Sequence, residues 1–113
     1  MVKRGETYWV DLSGAKGSEQ KKDRPAVILQ NDTGNKHSPC TIVAVISTGT
    51  NAQYPVEVEL PASSGAVRDD SIIKLDQIRT LDKSARLKDK IGKVPPPIMQ
   101  DVNDAIRISL GII

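Results

Sequence analysis

Arg24-Pro25 stands where a polar, charged stretch (residues 17–23, Gly-Ser-Glu-Gln-Lys-Lys-Asp) runs into an apolar one (residues 26–29, Ala-Val-Ile-Leu). Loops carry chemistry when a rigid element fixes their ends. Proline sets the backbone at the start of a strand, so Arg24 must sit at a loop–strand junction. A guanidinium held there is a charged fork suited to gripping a phosphate or carboxylate in one orientation. The same arginine is equally suited to an internal ion pair with Glu19 or Asp23, and the residue pattern leaves both readings open. Around it, Gln20 and Asn31 carry amides that present donor and acceptor to base edges, while Lys21 and Lys22 suit phosphates.

Two further groups are weaker taken singly. Ser47-Thr48 ends a strand-like run and opens a loop containing Gly and Asn, where hydroxyls commonly stabilise turns. Lys74, Asp76, Gln77 and Arg79 alternate with Leu75 and Ile78, the pattern of a strand with one wet side. Several familiar chemistries are missing. One histidine, His37, excludes paired imidazoles and reads as a solvent-exposed turn residue; with the single Cys40 it also excludes an ordinary zinc site. Cys40, at a strand start, reads as a buried small hydrophobe. Asp69-Asp70 are neighbours that a strand points to opposite sides, a poor magnesium pair. Neither a phosphate-binding glycine loop nor a dinucleotide fingerprint occurs. The expected chemistry therefore needs no metal, no cofactor and no histidine.

These groups need elements to position them. Residues 7–12 alternate and hold two aromatics and a valine, so they read as a strand. Residues 26–30 and 41–47 are short, apolar and bounded by turn residues, the mark of buried strands. Between them lies turn chemistry, with Asp32 the expected cap of one helical turn. Residues 56–60 alternate apolar and acid, and residues 71–81 give one or two more strands. The period then changes. Asp82 suits a helix N-cap, Leu87 and Ile91 fall on one helical face, and Gly92 suits a helix stop. Pro95-Pro96-Pro97 breaks the chain before a second helix, on which Ile98, Val102, Ala105, Ile106, Ser109 and Leu110 recur at helical spacing. The expected architecture is one domain, residues 1–113: a mainly β, mostly antiparallel barrel of five to seven strands, closed by a C-terminal helix.

Net charge over the 113 residues is only +2, too small to argue a nucleic-acid partner. Its distribution says more. Residues 1–40 carry seven Lys/Arg against five acids and residues 68–93 eight against five, whereas residues 41–67 hold only Glu57 and Glu59. Folded together, the two basic segments make one modest positive face. Only Tyr8, Trp9 and Tyr54 are aromatic, so the core must be aliphatic and broad stacking platforms are scarce. No segment resembles a signal peptide or approaches the roughly 20 apolar residues of a membrane span. The expectation is a soluble cytoplasmic protein with no membrane partner.

Lys3-Arg4-Gly5-Glu6 before an aromatic strand resembles the opening of the MazF/PemK (Kid) family, the ribonuclease toxins of bacterial toxin–antitoxin pairs. Gly17-Ser18-Glu19-Gln20, Arg24-Pro25, Gln30-Asn31-Asp32, Gly34-Asn35 and Ser38-Pro39 match in the same order. So do Asp76-Gln77-Ile78-Arg79-Thr80-Leu81-Asp82 and Ile108-Ser109-Leu110, and the resemblance covers essentially the whole chain. It implies an SH3-like barrel acting as a homodimer that cleaves single-stranded RNA sequence-specifically without metal, leaving a 2′,3′-cyclic phosphate and a 5′-hydroxyl. It also implies a cognate antitoxin whose acidic, disordered C-terminal segment occupies the RNA groove.

The resemblance assigns Arg24 to the family's essential arginine. Ser47 falls where many members carry a catalytic threonine, with Thr48 next to it, so either is the candidate hydroxyl. Lys74 and Asp76 match positions where the Kid branch uses an arginine and an aspartate, with Asp76 a proton acceptor if desolvated between strands. The RNA-binding candidates are Ser18, Glu19, Gln20, Lys21, Asn31, Lys74, Gln77 and Arg79, with Glu19 either a base reader or the partner of Arg24. Two other readings remain: a gyrase poison on the same fold, which relies on a C-terminal tryptophan this chain lacks, and a non-catalytic barrel that binds RNA or antitoxin.

Overall fold

The computed structural model describes residues 1–12 and 23–112. The elements run β1 (Glu6–Asp11), β2 (Asp23–Ile28), α1 (Asp32–His37), β3 (Cys40–Thr48), β4 (Glu57–Leu60), β5 (Ser71–Asp82), α2 (Lys83–Arg86), β6 (Leu87–Lys93) and α3 (Pro96–Leu110), with a 3-10 turn at Ala62–Ser64. All ladders are antiparallel, and the strand order is β4-β5-β3-β2-β1-β6. The two edge strands, β4 and β6, are not hydrogen-bonded to each other, so the barrel-like sheet is completed by other means.

The segment between β4 and β5 bridges that gap. Thr7 Oγ1 donates to the Ala66 carbonyl at 2.6 Å. Gly92 of β6 lies so close to the same segment that a Cβ there would stand 2.2 Å from the Gly65 carbonyl oxygen. That approach explains why β6 carries glycine, and Gly65 itself has φ +82°, which glycine adopts without steric cost. On the other edge α3 packs over β4 and β5, and Ser109 Oγ donates to the Leu75 carbonyl at 2.6 Å.

Strands β2 and β3 are buried on both faces, which is why they read as continuous apolar runs. Val27, Ala44 and Ile46 face a core shared with Leu60, Ile73, Val94 and the inner face of α3 at Val102 and Ala105. Ala26, Ile28, Val43 and Val45 face a second cluster with Val10, Leu12 and Leu81. Arg4 ties these parts together: its guanidinium donates to the Leu29 carbonyl at 2.7 Å and to Asn103 of α3 at 2.6 Å.

Three expectations are corrected. The helix expected to run from Asp82 towards Gly92 is one turn followed by strand β6. Asp82 does cap it, accepting from the Ala85 N–H at 2.9 Å, and that bond, more than the Ser84 hydroxyl, holds its carboxyl below the usual range. Leu87 and Ile91 are spaced for a helix, but the segment pairs with β1 as strand β6 instead, with Leu87 opposite Val10. The cap of α1 is Asn31, whose side chain accepts from the Gly34 N–H at 2.7 Å, while Asp32 accepts from the Arg4 N–H at 2.7 Å. Cys40 is half-buried rather than buried. Residues 71–82 form a single strand, and among the described residues no helix is long and apolar enough to cross a membrane.

Candidate functional site

Arg24 is the second residue of β2, opposite Val10 of β1, and is half-buried. With Pro25, Trp9 and Thr48 it lines a hollow of about 270 Å³. Ile46, Val67 and Ile91 contribute apolar wall, and Arg68, Asp69 and Ser71, from the segment leading into β5, contribute polar groups. Arg68 stands over the Trp9 ring, its guanidinium carbon 5.8 Å from the ring centre. The concavity thus joins two guanidiniums, one carboxylate and two hydroxyls to an aromatic and aliphatic wall. Such a mixture suits a ligand with both anionic oxygens and flat rings.

The two candidate hydroxyls fall on different sides of β3. The β2–β3 register ends at Ala26 opposite Val45; carried two residues further, it sets Ser47 opposite Arg24, on the same pleat face. Thr48 alternates to the other face with Ile46, and it is exposed and lines the hollow. Ser47 is half-buried and pairs in register with Ile72. Both hydroxyls therefore flank the Arg24 end of the sheet, one through the pleat and one through the hollow.

The β5 candidates lie further along. Opposite the Ala44–Val45 bond, β5 carries three extra residues, since Val45 pairs with Lys74 and Ala44 with Ile78. Asp76 and Gln77 stand in this bulge, a device that re-aims side chains, and both are exposed. The desolvated setting expected for Asp76 is not the one that surrounds it. Lys74 pairs with Glu57 across β4 at 3.1 Å. The Glu57 carboxylate is held below its usual range first by the Gln53 N–H, at 2.8 Å, and then by Lys74. Arg79 is exposed, opposite Val43. Asn31 lies beyond the other end of β2 from Arg24, with its side-chain oxygen capping α1. Ser18, Glu19, Gln20 and Lys21 lie outside the described residues.

Trp9 and Arg68 were not among the residues expected from the sequence. Trp9 read only as the aromatic of a strand, and Arg68 only as one charge among eight in its segment. Their pairing joins positions 59 residues apart and follows from the bridge that the β4–β5 segment makes to β1. No local pattern carries that signal.

The profile describing PemK-like, MazF-like toxins of type II toxin–antitoxin systems matches residues 3–110. An endoribonuclease MazF of Staphylococcus saprophyticus is 51% identical, over 99% of this chain and 93% of its own length. An endoribonuclease MazF of Staphylococcus epidermidis is 50% identical over the same shares. Among solved structures, an endoribonuclease in complex with its cognate antitoxin, from a mycobacterial species, matches with a TM-score of 0.83 at 26% identity, covering 100% of this chain and 98% of that one. MazF of Deinococcus radiodurans matches with a TM-score of 0.79 at 25% identity, covering 97% and 96%. With half of its residues shared across nearly its full length, this chain belongs to the family of PemK-like, MazF-like toxins of type II toxin–antitoxin systems.

Proposed function

We propose that this chain is a cytoplasmic endoribonuclease toxin that cuts single-stranded RNA, mRNA included, at specific sequences without a metal ion. The observation that carries the reading is the identity of about half to two endoribonucleases over essentially the whole chain. The hollow at the β2–β3 ends supports it, because it joins an arginine at a strand start to hydroxyls and an aromatic wall.

RNA brings its own nucleophile. The 2′-oxygen bonds to the adjacent phosphorus, the bond to the 5′-oxygen breaks, and that oxygen takes up a proton, giving a 2′,3′-cyclic phosphate and a 5′-hydroxyl. The protein's task is to hold the strand in line and to stabilise charge growing on the phosphoryl oxygens. Arg24 does the second, since its N–H groups form a fixed donor fork, and it is suited to protonate the leaving oxygen rather than to accept a proton. Ser47 or Thr48 hydrogen-bonds the phosphate. Asp76 is the acid on β5 assigned to the proton taken from the 2′-hydroxyl, and from its exposed bulge it must gain dehydration from the bound RNA. Gln20, Asn31 and Gln77 are the amides assigned to unpaired bases, with Ser18, Glu19, Lys21, Lys74 and Arg79 along the strand's path.

A cognate antitoxin neutralises the enzyme, as supported by the relative solved with its antitoxin. The working form is a homodimer. Ile108, Leu110 and Ile112 at the end of α3 are each more than half exposed, a face that a second copy would cover. Light scattering at micromolar concentration is expected to report twice the chain mass. Activity is tested by incubating the purified protein with long single-stranded RNA in excess EDTA and mapping the ends. Discrete cuts with cyclic-phosphate termini are expected; RNA left intact would overturn the reading.

A further inference from the structure

Arg68 is exposed, and among the described residues no carboxylate pairs with it. The backbone that leads into it is nevertheless anchored. Two residues before it, Ala66 is anchored by the Thr7 hydroxyl, and Gly65 packs against Gly92 at backbone contact distance. The guanidinium is held over Trp9, on the rim of the same hollow that Arg24 lines. A cation on an anchored segment loses less freedom when it binds, and a guanidinium seated over an indole keeps its outer planar face for a base.

We infer that Arg68 and Trp9 form a nucleotide-holding subsite beside Arg24, in which the guanidinium, backed by the indole, donates to an RNA phosphate and turns its outer planar face to a base. The inference rests on the endoribonuclease reading and adds to it a residue that acts in binding, not in bond cleavage. Among the described lining residues, Asp69 offsets one of the two guanidiniums and leaves an excess of one positive charge. The planar guanidinium face favours RNA over an acidic peptide as occupant, because bases have a π-face to stack and carboxylates have none.

The test uses full-length protein and a short single-stranded RNA carrying the protein's own cut site, in cleavable form and as the 2′-deoxy, uncleavable analogue. For Arg68→Ala, KM for cleavage and Kd for the analogue, read by fluorescence anisotropy, should each rise about 5- to 10-fold while kcat stays within about twofold. The salt dependence of binding should lose about 0.7 from its slope, the share of one phosphate contact on a single strand. Arg68→Lys should restore that slope while recovering affinity only in part, since an ammonium lacks the planar face. Arg107→Ala, on the far side of α3, is the control for lost charge in general.

If wild-type protein cuts RNA while Arg68→Ala keeps the wild-type KM, Kd and salt slope, the subsite is overturned and the nuclease reading stands. If Arg68→Ala weakens binding of a polyglutamate peptide but not of RNA, the residue belongs to an acidic partner and the inference fails. Wild-type protein that neither binds nor cuts RNA overturns both.

Discussion

Two of the open concave regions among the described residues carry opposite charge. The hollow at the ends of β2 and β3 holds about 270 Å³ and, among the described residues, is lined by Arg24, Arg68 and Asp69 as its charged groups. The groove between β4 and α3 is larger, about 350 Å³, and is lined by Glu57, Glu59, Asp101 and Asp104 around Val58, Ala105 and Ile108. Lys74 and Arg107 each pair with one of those acids, which still leaves the groove negative. Size therefore favours the wrong cavity for a polyanion. Charge decides, because like-charge placement of a phosphate costs far more than a modest loss of volume. The net +2 hides this separation, since the basic and acidic surfaces nearly cancel in the sum.

The comparison is most directly broken at Arg24. Arg24→Ala should lower the cleavage rate by about 10²–10³, as for loss of one preorganised donor, with folding unchanged by circular dichroism. A rate near wild type would remove the hollow from the chemistry.

Next in size is the wall that carries Arg68. Gly92→Ala drives a Cβ into the Gly65 carbonyl and should cost about 3 kcal/mol, the upper part of the overpacking range, measured by urea unfolding. It should also weaken RNA binding in whatever folds, by shifting the β4–β5 segment. Unchanged stability would mean that the bridge between the sheet edges is loose.

The two hydroxyls sharpen the comparison further. Whichever of Ser47→Ala and Thr48→Ala costs about tenfold or more in kcat identifies the phosphate donor, and the other should stay within about threefold. A loss shared equally by both would argue that neither hydroxyl contacts the phosphate directly.

Glu6 gives a pH test of the β1–β6 edge beside the hollow. Burial alone would raise its carboxyl, but hydrogen bonds from Lys90, the Lys3 N–H and Tyr8, with the Lys90 charge, hold it below the ordinary value of 4.5. A depressed folded-state value stabilises the protein fully above the unfolded value and loses that contribution as pH falls through the folded one. Wild type should therefore exceed Glu6→Gln by about 0.5–1 kcal/mol at pH 7, with the gap closing below pH 4. A gap that persists at pH 3 would show that packing, not ionisation, makes the difference.

The smallest effect belongs to the groove. Glu59→Lys with Asp101→Lys should change cleavage by no more than about twofold, since neither residue is among those proposed to line the RNA path. A several-fold gain would place RNA across both regions.

Legibility followed the range of the interactions. The buried strands β2 and β3, the alternation of β4 and the amphipathic α3 were readable because each is a local pattern that burial enforces. Arg24 was readable as well, since Pro25 fixes the strand start beside it. The stretch from Leu87 to Gly92 was misread because its helical spacing is real, but pairing with β1 outweighs a weak propensity. Asn31, not Asp32, caps α1, while Arg4, 28 residues away, claims the Asp32 carboxylate.

Within this chain the sequence by itself determined the strand-rich class, the aliphatic core, an arginine at a strand start and, through ordered motifs, the family. The tertiary structure alone decided which basic residues share a cavity. It set Arg68 over Trp9, drew Lys74 to Glu57, and put the two candidate hydroxyls on opposite sides of β3. Those outcomes depend on antiparallel register, on a three-residue bulge in β5 and on a glycine-to-glycine backbone contact between sheet edges. Each is a long-range packing fact, fixed by the competition of whole elements for the same core, and no window of neighbouring residues contains it.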